Sequence, residues 1–453
     1  MPTNPATLEA VDKTRISKVD SEVVGDIALS LRRFVGAGRW VGKGNRYGVR
    51  GAAEKIAREV KSGGVKDQRQ LGQYIVASCA LHCSDGWGYL GRAISATIVG
   101  DSRRALHLGY YAELRAALSI LASAGIGVFN TKHFVISGPG KVTKLKYGRG
   151  THEFVWLALK HWSSLPRSGA LFSEIVRPGG IGLDNWLQTI GGSKAVAPQV
   201  RRWFLQWGMD IFSLTEDRNA RNENSYRPDG IPETVAISCA DGLNFVRRFW
   251  EAFEPASSSR FGEIDRSILR VALERAYTGR TGQTPSPTSP AYRRFIARAV
   301  DQQGYSGQLR SEWIAFLLRQ STSQDVEPIR LSSEDADSDM GVLAVISRAA
   351  LLLRMASGAS SSLLRTVEPD WKRYAFWYDL LGEQRGLWIG KWEGGSFTDL
   401  WADVSVTLDD LAVYQDAHLP QTQNSIGVSS VVPNLAGVMG TYERVALWSL
   451  LDN

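Results

Sequence analysis

Residues Asp101–Gly125 read DSRRALHLGYYAELRAALSILASAG, and this stretch decides the fold class. Leu108, Tyr111, Leu114, Ala117, Leu118 and Leu121 recur at three- and four-residue steps. That spacing lines one face of an α-helix with apolar side chains and makes it a core face. Asp101 or Ser102 stands where an N-cap accepts the first free N–H groups, and Gly125 stands where a helix ends. Glu113 and Arg115 fall in mid-helix. They read as a solvated face, with an inward reach toward a polar site as the alternative.

Upstream, Val24, Ile27, Leu31 and Phe34 predict another helix, and residues 52–99 read as helices broken at Gly63-Gly64 and at Asp85-Gly86. Downstream, 127–147 alternates apolar residues around Ser137-Gly138-Pro139-Gly140 and predicts a short β-hairpin, basic at Lys141, Lys144 and Lys146. THEFVWLALKHWSSL, from Thr151, predicts a helix capped by Thr151. His152 and His161 in it are acid–base candidates because imidazole as a group titrates near neutrality, although a histidine beside tryptophan reads first as a packed residue. Residues 278–290, TGRTGQTPSPTSP, have almost nothing to bury and predict a linker. The expected fold is mainly α: a helical bundle with a small β-hairpin insertion, plus a helical C-terminal region. The expected division is a core domain over 1–255, a Pro/Ser-rich linker region over 256–290, and a helical domain over 291–453.

The chain of 453 residues carries a net charge of +7, with a pI near 9.2 and more Arg than Lys, which favours an acidic partner such as nucleic acid. Its 15 Trp promise several large buried anchors. Cys79, Cys83 and Cys239 form no disulfide framework. Cys79 and Cys83, with only His82 nearby, lack the second ligand pair of a zinc site and read as buried thiols. The N-terminal residues have no apolar signal segment. The closest window to a membrane span, 341–355, is interrupted by Arg348 and Arg354. No membrane, metal or cofactor is expected, and the expected compartment is the cytoplasm.

Two polar stretches are candidate sites. Gly36–Gly51, GAGRWVGKGNRYGVRG, fails the phosphate-loop spacing: Ala37 stands where the first glycine belongs and Gly44 where the Ser/Thr belongs. What remains is a basic loop of Arg39, Lys43, Arg46 and Arg50 with Trp40 and Tyr47 between them. Cations interleaved with aromatics suit a single-stranded nucleic acid, and a solvated surface loop is the alternative. The second stretch, Thr215–Pro228, reads TEDRNARNENSYRP and packs Arg218, Arg221 and Arg227 among Asn219, Asn222, Asn224 and Tyr226. Guanidinium forks and amides hold phosphate. Asp217 and Glu223 could equally neutralise them in a structural network.

The helix containing GYYAELRAALSIL, followed by the later Arg221-Asn222…Tyr226, resembles a HEPN-type four-helix domain over roughly 86–232. The resemblance implies a metal-independent ribonuclease of prokaryotic defence or toxin systems, acting in the cleft of a homodimer. It carries the family's Arg onto Arg221, its polar residue onto Asn222 and its His onto Tyr226, which is a departure. By chemistry alone, Arg221 and Arg218 supply charge for the phosphate. Tyr226 is a poor base near neutral pH, so Glu113 or His152 would have to stand in. The expectation is an RNA-directed component of a defence or toxin system, with RNA favoured over DNA. A non-catalytic adaptor using its Trp-rich C-terminal region for a protein partner, and a DNA-binding subunit of a restriction-like complex, remain alternatives.

Overall fold

The computed structural model describes residues 7–188, 198, 201–203, 237–255, 260–319, 324–334, 341–385, 397–417 and 443–451. Ten elements build the N-terminal part: α1 (Ala10–Ser17), α2 (Ser21–Val35), α3 (Ala52–Lys61), α4 (Gln68–Ile98), α5 (Ser102–Ser123), β1 (Ile126–Phe129), β2 (Lys132–Gly138), β3 (Lys141–Lys144), α6 (Thr151–Ser163) and α7 (Pro166–Ile175). A turn of helix, α8 (Leu183–Trp186), follows. Then come α9 (Cys239–Glu251), α10 (Gly262–Thr281), α11 (Pro290–Asp301), α12 (Gly307–Leu317), α13 (Glu327–Leu331), α14 (Gly341–Val367), α15 (Ala375–Arg385), α16 (Phe397–Ala417) and α17 (Glu443–Leu451). The protein is mainly helical with one small antiparallel sheet, as the sequence predicts.

The core is organised on α4 and α5. Cys79 meets Ser119, Asp85 meets Arg115 and Tyr89 meets Tyr111, so the two helices form an antiparallel hairpin. The predicted break at Asp85-Gly86 is absent, and α4 runs unbroken through it. Gly86 serves packing instead: a Cβ there would lie 2.6 Å from Leu353 Cδ2 and 3.3 Å from Arg115 Cβ. The glycine lets α14 and α5 approach the α4 backbone closely, which offsets its roughly 1 kcal/mol helix-propensity cost.

α14 lies along both helices. It has the length and composition of a membrane span, but 89% of its most apolar window is buried in the protein. Several of its polar side chains are matched to partners. Ser360 lies 2.9 Å from Cys79 Sγ and 3.0 Å from Ser119 Oγ. Ser357 accepts from Trp87 Nε1 at 2.9 Å. Arg354 donates to Asp265 at 2.9 and 2.8 Å and to the Ile175 carbonyl. Cys79 and Cys83 are buried free thiols, and burial pushes them up to about 11 and about 12, which leaves them unreactive near neutrality.

Packing crosses the expected boundary at 256–290. α10 occupies 262–281 and buries Ile264, Ile268, Leu269 and Leu273, while Asp265 reaches α14 and Arg270 pairs with Asp325. Only 282–289 separate α10 from α11, whose N-cap is Ser289. α14, placed by sequence in the C-terminal domain, is central to the N-terminal core. The apolar α10 periodicity outweighs the Pro/Ser composition around it.

The expected hairpin is three strands in order β1-β2-β3, all antiparallel, with Val135 opposite both Ile126 and Thr143. The α6 cap differs from expectation: Gly150 is the N-cap, and Thr151 is already helical. Five tryptophans, Trp87, Trp162, Trp186, Trp250 and Trp448, are fully buried anchors.

Candidate nucleic-acid interface

The stretch 215–228, and with it Arg218, Arg221, Asn222, Tyr226 and Arg227, lies outside the described residues. The structure does place the other polar loop, Gly36–Gly51, and it places it differently from its sequence reading.

Glu59 of α3 organises this region. Its buried carboxylate accepts from Arg46 Nε, from Tyr47 OH at 2.7 Å and from the Lys66 backbone N–H at 3.1 Å. Tyr47 OH in turn accepts from the Asp67 N–H at 3.3 Å. Burial works to raise the Glu59 carboxyl. The hydrogen bonds from Tyr47, Lys66 and Arg46 outweigh it and hold the group below the usual carboxylate value. Tyr47 is pushed up to about 12, by burial first and by the neighbouring carboxylate second. Asn45 completes the frame: its Oδ1 accepts from the Tyr47 and Gly48 N–H groups, and its Nδ2 donates to the Gln70 carbonyl at 3.1 Å. The 36–51 loop is therefore tied to α3 and to the start of α4 by a saturated polar network.

The two aromatics expected to interleave with the cations are turned inward. Tyr47 is fully buried, and Trp40 packs on Tyr374, Phe376 and Trp377 with ring centroids 5.4–5.7 Å apart. Arg46 is half-buried on Glu59. Arg39, Lys43 and Arg50 are exposed. Burying large rings is worth more than presenting them, so the aromatics became the loop's anchors and the cations its surface.

The cationic surface extends past the loop. Between residues 32 and 69 stand eleven Lys and Arg against three Asp and Glu, an excess of eight where the entire chain has a net +7. Of the three acids, Glu59 is spent on Arg46 and Tyr47, and Asp67 caps α4 through the Gln70 N–H. Arg33, Arg58, Lys61 and Arg69 are exposed. β3 adds exposed Lys141 and Lys144, held beside the α4 start by Val142 N–H on Gln68 Oε1 at 3.3 Å. We term this region the basic lobe. Glu59 is the residue sequence reasoning missed; the local charge count is the signal that marks the lobe.

The secondary candidates fall elsewhere. Glu113 is buried, not solvated, and faces Arg348 of α14 at 3.6 Å. It is part of the α5–α14 interface. His152 is half-buried on α6, its Nδ1 2.6 Å from Tyr110 OH and its ring stacked on Tyr110. His161 lies 3.0 Å from both Ser17 Oγ and the Lys13 carbonyl, and burial lowers it. Two tryptophans of the C-terminal region are turned to internal use: Trp401 and Trp250 donate to each other's carbonyls at 3.1 Å, and Trp448 packs on Trp250. Comparison with family models, curated proteins and solved structures gives no match to this chain.

Proposed function

We propose that this protein binds nucleic acid through the basic lobe, with RNA as the ligand. The observation that carries the reading is the concentration of positive charge between 32 and 69 on a frame fixed by Glu59. A phosphate backbone is the ligand for which clustered, exposed cations are suited, here with Glu54 the one exposed acid among them, and a fixed frame reduces the ordering cost of binding. The resemblance to HEPN-type domains adds RNA as the polymer, a prokaryotic defence or toxin system as the setting, and a homodimer as the working form. Metal-independent cleavage at Arg218, Arg221, Asn222 and Tyr226 is the further activity that this resemblance implies.

Binding is tested by titrating labelled RNA at several salt concentrations. For single strands, log K falls with log[salt] at about 0.7 per phosphate neutralised. The triple variant Arg39→Ala, Lys43→Ala, Arg50→Ala should lower that slope by about 2. An unchanged slope would remove the lobe from the interface. Cleavage is tested separately by incubating RNA in EDTA with wild type, Arg221→Ala and Tyr226→Phe. Cleavage lost in both variants supports the nuclease, whereas binding without cleavage leaves an RNA-binding protein.

A further inference from the structure

A second surface, on the outer face of α4 and α5, carries aromatic rings where the lobe carries only cations. Tyr89 of α4 and Tyr111 of α5 stack with centroids 5.4 Å apart and planes 24° apart. Arg92, one turn beyond Tyr89, lays its guanidinium over the Tyr89 ring at 4.6 Å. Its Nε donates to the Gly88 carbonyl at 2.9 Å, which fixes the fork in that position. His107 also packs on Tyr111, at 4.9 Å. Tyr89 and Tyr111 are half-buried, while Arg92 and His107 are exposed.

The arrangement joins three planar groups, with Tyr89 contacting both Tyr111 and Arg92, the rings half-buried and the guanidinium exposed. A surface cation–π contact alone would need only Arg92 and one ring. Here the guanidinium lies over a ring that is itself stacked across two helices, and its Nε is tethered by a hydrogen bond. An exposed guanidinium tethered over a ring offers a plane on which a nucleobase can stack, as arginine planes do in single-stranded recognition. The surrounding charge agrees: Arg103 and Arg104 are exposed one turn before His107, and Asp85 is drawn toward Arg115 at 3.7 Å.

We infer that the α4–α5 face is a base-stacking platform, with Arg92 on Tyr89 as its contact, and that the ligand is an unpaired, single-stranded segment. This rests on the nucleic-acid reading above and adds to it the strandedness of the ligand. In a duplex the bases are already stacked on one another and cannot reach Arg92. The platform should therefore favour single strands while the lobe serves both forms.

The experiment measures fluorescence anisotropy of a labelled single-stranded RNA and of its duplex, each across a salt series. Wild type is compared with Arg92→Lys, with Tyr89→Leu and with the triple lobe variant. Arg92→Lys keeps the charge and removes the plane, so it should weaken single-strand binding about tenfold with the salt slope and duplex affinity unchanged. Tyr89→Leu should do the same by removing the ring beneath. The lobe variant should weaken both ligands and lower the slope. Wild-type affinity for both ligands in Arg92→Lys and Tyr89→Leu would overturn the platform and leave the lobe standing. Loss in those two with no effect of the lobe variant would overturn the lobe and leave the platform. Failure of wild type to bind either ligand at low salt would overturn both.

Discussion

In the core, each of three buried arginines faces a carboxylate: Arg348 faces Glu113, Arg354 faces Asp265, and Arg270 faces Asp325. In the basic lobe the ratio is reversed, with eight cations beyond the number of acids and the most buried acid, Glu59, spent inward. The same residue types thus do two jobs. A guanidinium in the core joins segments far apart in sequence, and its charge is cancelled where it stands. In the lobe Arg46 and Arg32 are paired, with Glu59 and Glu368, while Arg39, Lys43, Arg50, Arg58, Lys61 and Arg69 stand exposed at the surface. Burial and pairing, not residue type, separate the structural cations from the surface ones.

That contrast breaks most easily at the core. Asp265 accepts twice from Arg354 and once from the Arg177 N–H at 2.7 Å. Asp265→Ala strands a buried guanidinium and should cost about 3–5 kcal/mol in chemical denaturation. Removing both partners, with Asp265→Leu and Arg354→Met together, should recover much of that loss. A single variant no less stable than the double would mean the pair is not the origin of the effect.

Acid should act next. His133 is fully buried, donates from Nε2 to the Arg149 carbonyl at 2.9 Å and stacks on Phe154. Burial lowers it to about 4. A histidine depressed in the folded state adds stability that is fully present above its ordinary value near 6.5 and is lost as pH falls toward 4. The loss across that window is on the order of 3 kcal/mol. Denaturation midpoints of wild type and His133→Gln should converge between pH 7 and pH 4, and parallel curves would refute the assignment.

Glu59→Gln sharpens the comparison from the other side. It keeps the shape of the hub but removes its charge, so stability should fall by about 1–3 kcal/mol. That contribution has its own pH dependence. The carboxyl is depressed in the folded state, so its stabilisation is present above the ordinary carboxylate value and is lost on further acidification. The smallest effect on folding belongs to the exposed cations. Arg39→Ala, Lys43→Ala and Arg50→Ala together should leave the melting midpoint nearly unchanged, within about 0.5 kcal/mol per site, even though RNA affinity drops. A large destabilisation there would make the loop's cations structural.

The parts of the fold that were legible in sequence are those decided locally. α5 was plain because its apolar spacing, its Asp101 cap and its terminal Gly125 agree, and Asp101 indeed accepts from the Arg104 N–H. What sequence could not supply was the identity of distant partners. Glu113 reads as a surface carboxylate until α14 brings Arg348 against it. Gly86 reads as a break until Leu353 is seen to fill the space beside it. Trp40 and Tyr47 read as outward-facing because interleaving with cations gives no sign of which face is buried. The charge of the lobe, by contrast, was countable from the start; what hid it was averaging over the whole chain.

The position of α14 bears on how the molecule is made. α4 and α5 leave the ribosome well before α14, the helix at 341–367 that covers Cys79, Cys83, Trp87 and Gly86. At roughly 5–20 residues per second, the nascent chain carries an open apolar trench for on the order of tens of seconds before its cover emerges. Closure must then occur across a long loop, a topology that slows folding and exposes the chain to aggregation. A chain terminated before 341 would keep its trench uncovered permanently, so premature stops in this protein should yield clients of chaperones and proteases rather than a free N-terminal domain.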